Sequence, residues 1–164
     1  MTTTKPQRTV RLDPMTKDAY DGWAAESVRG YADAQIEAGL WDAATAEQQS
    51  WDEFRNLLPA GPATPGQHLW FVRDAETGAD VGWLWIAVRA KGSGVEAYVF
   101  DVNVLPEMQG GGYGRATMEA GAAAARELGA TTMALNVHGP NERAYSLYKS
   151  LGYVVTNRRM QLEL

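Results

Sequence analysis

The chain has 164 residues, 45% of them hydrophobic and 21% charged, with a net charge of −5 and no cysteine. Its length predicts one domain with a sizeable core, and its negative charge argues against a general affinity for nucleic acid. The missing thiols exclude a disulfide framework, a cysteine nucleophile and a cysteine-type zinc site, and no apolar run is long enough to cross a bilayer.

Residues 1–8 read as a polar tail without the apolar stretch of a secretion signal, so a cytoplasmic location is expected, and 9–164 read as the domain. Residues 9–12 alternate as a short strand, and 13–16 turn the chain, with Thr16 a candidate N-cap. From 17 to 58 the pattern is helical, interrupted near Gly39. Tyr20, Trp23, Ala24, Ser27 and Tyr31 form a first stripe. Trp41, Ala44, Gln48, Trp51, Phe54 and Leu58 form a second. The segment 59–66, PAGPATPG, is a loop. Strands follow at 68–73 and 81–89, with a turn near Gly78. The run 91–94 then leads into a strand ending at Val104. Strict alternation puts Tyr98, Phe100, Val102 and Val104 on one face and Val99, Asp101 and Asn103 on the other.

After that strand comes Pro106-Glu107-Met108-Gln109-Gly110-Gly111-Gly112-Tyr113-Gly114-Arg115, opening onto an alanine-rich helical run over 115–128. Glycine tolerates positive φ and lets a ligand approach the backbone. A helix N-terminus offers unpaired N–H groups and a partial positive charge, which suits a phosphate. These residues therefore point to a phosphate-bearing ligand, although a plain strand-to-helix turn has a similar composition. Neither G-x-x-x-x-G-K-[ST] nor G-x-G-x-x-G is present. A strand at 132–137 comes next. Asn141 then N-caps a helix whose Ala144, Leu147, Tyr148 and Leu151 share one face, with Gly152 just past its end. Closing strands are expected over 154–164. His68 and His138 are the only histidines and do not form a metal-binding spacing, so no metal is expected.

Two segments carry a resemblance. Gln109, Gly112 and Gly114 fit Q/R-x-x-G-x-G/A, and 141–153 fits N-x-x-A-x-x-L-Y-x-x-x-G-[FY]. Together they resemble the GNAT superfamily of N-acetyltransferases, well over 81–164 and more loosely before it. Fragments such as 57–59, 64–70 and 81–86 are similar to a bacterial subgroup of small acetyltransferases and supply no acceptor. The resemblance implies a single α/β (α+β) domain, with a mixed, mostly antiparallel sheet flanked by helices. It implies acetyl-CoA as co-substrate and direct transfer of acetyl to a primary amine, on a small molecule or a protein. Neither nucleic acid nor membrane is an expected partner, and a homodimer is an allowed assembly.

The resemblance also places the site. Main-chain groups of Val102 and Val104 would meet the pantetheine arm. Gln109, Gly110, Gly111, Gly112, Tyr113, Gly114 and Arg115 would hold the pyrophosphate. Asn141 would contact the pantetheine. Tyr148 would protonate the leaving thiolate. Asp101 and Glu96 are the carboxylates available as base. Each residue has a plainer reading beside this one: core packing for the valines and Tyr148, a simple N-cap for Asn141, a structural or solvated carboxylate for Asp101 and Glu96. An inactive acyl-CoA-binding domain, or an interaction module, would carry the same motifs.

Overall fold

The structure, a computed structural model, describes residues 7–164, so residues 1–6 of the tail lie outside it. In chain order the elements are β1 (Val10–Pro14), α1 (Lys17–Glu37), α2 (Ala46–Leu57), β2 (Gln67–Asp74), β3 (Asp80–Lys91), β4 (Gly94–Val104), α3 (Tyr113–Glu127), β5 (Thr132–Leu135) and α4 (Glu142–Ser150). The strands lie side by side in sequence order, antiparallel except for the parallel pair β4–β5. This is the mixed, mostly antiparallel sheet that the family resemblance implies.

Alternation along β3 divides the core in two. Leu84 and Ile86 are fully buried on one face with Val72, Val81, Ala97, Val99 and α3's Met118. Trp85 is buried on the other with Trp23 and Val28 of α1 and Phe54 of α2. Each such aliphatic side chain contributes about 1.5–3 kcal/mol of burial. Thr16 caps α1 by accepting from the Ala19 N–H (3.4 Å). The first helix ends at Glu37, and Gly39 takes φ 69. Trp41 therefore lies outside α2, edge-on to Tyr31 (ring centroids 5.3 Å). The buried stripe of α1 is Trp23, Ala24, Val28 and Ala32, so Tyr31 stays at the surface.

Two expectations are corrected. Strict alternation fails in β4, because Trp85 pairs with Asp101 while the next β3 residue, Ile86, pairs with Val99. Phe100 is the extra residue of a bulge, which re-aims the chain on either side of it. Val99 and Val102 consequently pack towards the same core, and Phe100 stacks on Trp85 (4.7 Å) from the other side. The second correction concerns 154–164, which form neither strand nor helix.

Gly82 is the tightest point of the sheet. A Cβ there would stand 1.9 Å from the Asn103 carbonyl oxygen and 2.8 Å from its carbon, both main-chain atoms that cannot rotate away. Gly82→Ala is expected to cost roughly 3 kcal/mol. Urea unfolding checks this as a lower midpoint at unchanged slope.

Candidate active site

The sheet opens where β4 outruns its parallel neighbour. The last β4–β5 pair is Val99 with Leu135, yet β4 continues to Val104. Among the described residues, one edge of β4 has no strand partner beyond Val99. A cleft of about 770 Å³ lies against this open stretch. Of the residues named from the sequence, Val102, Val104, Gln109, Gly110, Gly112, Gly114, Arg115 and Asn141 line it. Others do too, among them Arg8, Asn103, Arg143 and Leu147. Arg143 and Leu147 stand inside the helical motif, where helical spacing from Asn141 was the available signal. Nothing local in the sequence marks Arg8.

The glycine loop forms one wall. Gly110 and Gly112 have φ of 77 and 94, values at which a side chain is strained. Gly112 is the N-cap of α3, and the helix's first bond runs from the Ala116 N–H to the Gly112 carbonyl (3.2 Å). Among the described residues, no backbone hydrogen bond outside the regular elements is donated from Gly110 to Arg115. The N–H groups of the cleft-lining Gly110, Gly112, Gly114 and Arg115 are thus available, at the positive end of a 15-residue helix. At Gly114 a Cβ would press on Leu147 Cδ2 at 3.3 Å, so its absence lets α4 approach α3.

Side chains fix the loop in place. Gln109 donates from Nε2 to the Val104 carbonyl (3.0 Å) and accepts at Oε1 from Arg143 Nη1 (3.3 Å). Arg115 donates to Ser150 Oγ (2.5 Å) and lies 3.6 Å from Glu119 Oε1. Tyr113 departs from its expected role, because its side chain is buried and donates from the hydroxyl to Asp74 Oδ2 (2.5 Å). Tyr113 is not among the residues that line the cleft. That bond, with N–H donation from Thr77 and Glu76, holds the Asp74 carboxyl down to about 2. Gly111 does not line the cleft.

Asn141 combines the two readings open at the sequence level. Its Oδ1 accepts from the Ala144 N–H (3.1 Å) as an N-cap, and it lines the cleft. The Nδ2 donors are engaged by no described residue.

The proton-handling candidates separate clearly. Glu96 is buried and paired with Lys91 and with Arg89 (3.1 Å), which hold its carboxyl below the usual range. Like Asp101 and Tyr148 it lies outside the cleft lining, and its two ion pairs favour the structural reading over that of a base. Asp101 is different. It accepts from the Trp83 indole N–H (2.6 Å), and burial raises its carboxyl against the pull of Trp83 and the Val102 N–H. The aromatic partner was not legible beforehand, because the bulge decides which face Asp101 takes. Tyr148 is half-buried, its ring 5.7 Å from that of Tyr153. Burial, then the nearby charge of Asp101, pushes the Tyr148 phenol up. His68 stacks on Trp70 (5.6 Å) in β2 and His138 sits in the loop before α4; neither lines the cleft.

The pattern of the acetyltransferase (GNAT) family matches residues 33–153. The chain belongs to that family. Among GNAT proteins it is 31% identical to the uncharacterized N-acetyltransferase YycN of Bacillus subtilis (strain 168), over 95% of this chain and 99% of the other. The crystal structure of YycN superposes with a TM-score of 0.86, again over 95% and 99% of the two chains. A mycothiol acetyltransferase of Nocardiopsis dassonvillei is 33% identical over 89% of this chain, which spans 43% of that longer protein. The GNAT fold recurs at 18% identity in the BH1408 protein of Bacillus halodurans, with a TM-score of 0.68 over 94% and 98% of the chains.

Proposed function

We propose that this GNAT protein transfers an acetyl group from acetyl-CoA directly to a primary amine. The observation that carries the reading is the set of free N–H groups at Gly110, Gly112, Gly114 and Arg115 on the cleft beside the open edge of β4. Such a set suits a pyrophosphate, since main-chain donors need no reorganisation to meet an anion. The unpaired stretch around Val102 and Val104 suits an extended amide-bearing arm. Asn141 adds side-chain donors beside it.

Acetyl-CoA supplies the thioester carbonyl that the amine attacks and the thiol that leaves. The chain's own residues handle the protons. A primary alkylammonium has a pKa of ~10.4 and must lose a proton before it can attack. Asp101 accepts that proton at its carboxylate, directly or through water. Its burial raises it towards the range where a carboxylate is a useful base. Tyr148, held above the ordinary phenol value, stays protonated at neutral pH and donates from its hydroxyl.

The test of Asp101 uses its indole partner. The Trp83 N–H stabilises the carboxylate form, so Trp83→Phe raises the Asp101 pKa further. A base works only when deprotonated, so activity falls as pH drops through that pKa. The acid limb of kcat/KM should move to higher pH by roughly 1 unit, since a hydrogen bond to a charged group is worth about 1.5–3 kcal/mol. An acid limb that stays in place in Trp83→Phe removes Asp101 from the role.

A further inference from the structure

Three arginines and one glutamate line the cleft of a chain whose net charge is −5. The cleft therefore carries a local charge opposite in sign to that of the molecule as a whole, which suits an anion. Two of the arginines are engaged within the protein. Arg115 donates to Ser150 Oγ and pairs with the glutamate, Glu119. Arg143 donates to Gln109 and fastens the glycine loop. Arg8 is the third. Among the described residues it forms no ion pair, and its Nε is shielded from solvent without a hydrogen-bond partner.

The Arg8 side chain is nevertheless held in place. Its guanidinium carbon lies over the Tyr113 ring, 5.1 Å from the centroid, within reach of a cation–π attraction. The ring is tethered, because the Tyr113 hydroxyl is bound to Asp74 Oδ2 and Asp74 also accepts from the Glu76 and Thr77 N–H groups in the turn after β2. The same turn holds the main chain beside Arg8. The Ala75 N–H donates to the Thr9 carbonyl (3.0 Å), and Val10 pairs with Asp74 where β1 begins. Tyr113 directly follows Gly112, so these contacts fix Arg8 at the root of the glycine loop. A guanidinium over a ring face spends its charge there without using its N–H donors, and its planar fork matches the oxygens of a phosphate.

We propose that Arg8 is a phosphate-binding residue of the cleft, donating to a phosphate of the bound ligand together with the free N–H groups of the glycine loop. The inference rests on the reading of the cleft as an acetyl-CoA site. CoA carries phosphate in two places, the diphosphate bridge and the ribose, and phosphate is the chemistry that Arg8 recognises in either.

Calorimetric titration of the whole chain with acetyl-CoA tests this, with urea unfolding of each variant to confirm that it is folded. Arg8→Gln should weaken binding by about 10-fold or more, the effect of losing a charge-assisted hydrogen bond. Arg8→Lys keeps the charge without the fork and should fall between Arg8→Gln and wild type. Added salt should weaken binding to the wild-type chain, and to Arg8→Gln less steeply, because one charge contact is gone. Parallel titrations with CoA and dephospho-CoA, which lacks the ribose phosphate, locate the contact. A loss that persists with dephospho-CoA places Arg8 on the diphosphate, and a loss seen only with CoA places it on the ribose phosphate. An Arg8→Gln variant that binds acetyl-CoA as the wild type does overturns the proposal. So does a loss of affinity with unchanged salt dependence, which would make Arg8 a packing partner of Tyr113 alone. A wild-type chain that binds no acetyl-CoA overturns the reading of the cleft and the role of Arg8 with it, so the wild-type titration tells the two failures apart.

Discussion

Tyr148→Phe is expected to leave acetyl-CoA affinity unchanged while kcat falls by ~10²–10⁴, the usual contribution of a general acid. The substitution keeps the ring, its half-buried packing and its neighbour Tyr153. It removes only a hydroxyl that is hydrogen-bonded to no other described side chain, so little stability should be lost. The alkaline limb of the wild-type profile gives a second readout. A donor must be protonated, and burial together with the Asp101 charge places the Tyr148 phenol above its ordinary value of 10.0. Activity should therefore hold through neutral pH and decline only above that value. Steady-state kinetics at saturating acetyl-CoA, with an amine that supports turnover, checks both. A kcat within a few-fold of wild type would return Tyr148 to a packing role.

The second large effect is expected at Gly112. Its φ of 94 lies where a β-branched residue is strongly disfavoured, and its position as the N-cap of α3 puts a new side chain on the cleft wall. Gly112→Val should weaken acetyl-CoA binding by about 100-fold or more, because turning even two of the free N–H groups away forfeits charge-assisted hydrogen bonds of about 1.5–3 kcal/mol each. The folded state should lose less, about 1–3 kcal/mol of backbone strain. Isothermal calorimetry beside denaturant unfolding separates the two. Unchanged affinity in a folded variant would make the loop a plain turn.

Much of this was legible in the residues themselves. Thr16 and Asn141 cap helices as their side chains suggest, because a cap depends on a few neighbouring atoms. The loop glycines 110 and 112 take positive φ as a glycine-rich turn suggests. What escaped depends on contacts between distant segments. Period-two counting cannot see the extra residue at Phe100, because the bulge is a relation between β3 and β4. The faces assigned to Val99, Val102 and Asp101 changed with it, and with them the Trp83–Asp101 bond across 18 residues of sequence. Tyr113 sits inside the glycine motif, yet its hydroxyl is bound to Asp74, a partner 39 residues away. Glu96 and Asp101 looked equivalent on one strand. Their surroundings, two cations for one and an indole for the other, set them apart.

The account stands most directly on the cleft's ability to hold acetyl-CoA, and thermal unfolding of the whole chain with and without that ligand measures it. A ligand that binds only the native state adds RT ln(1 + [L]/Kd), or ~2.7 kcal/mol at a hundredfold excess over Kd. For a chain of this size that corresponds to a rise in Tm of about 5–10 °C. The rise should follow acetyl-CoA concentration and be largely lost in Gly112→Val. A midpoint that does not move at millimolar acetyl-CoA would contradict the assignment of the glycine loop, the cleft and the reaction built on them.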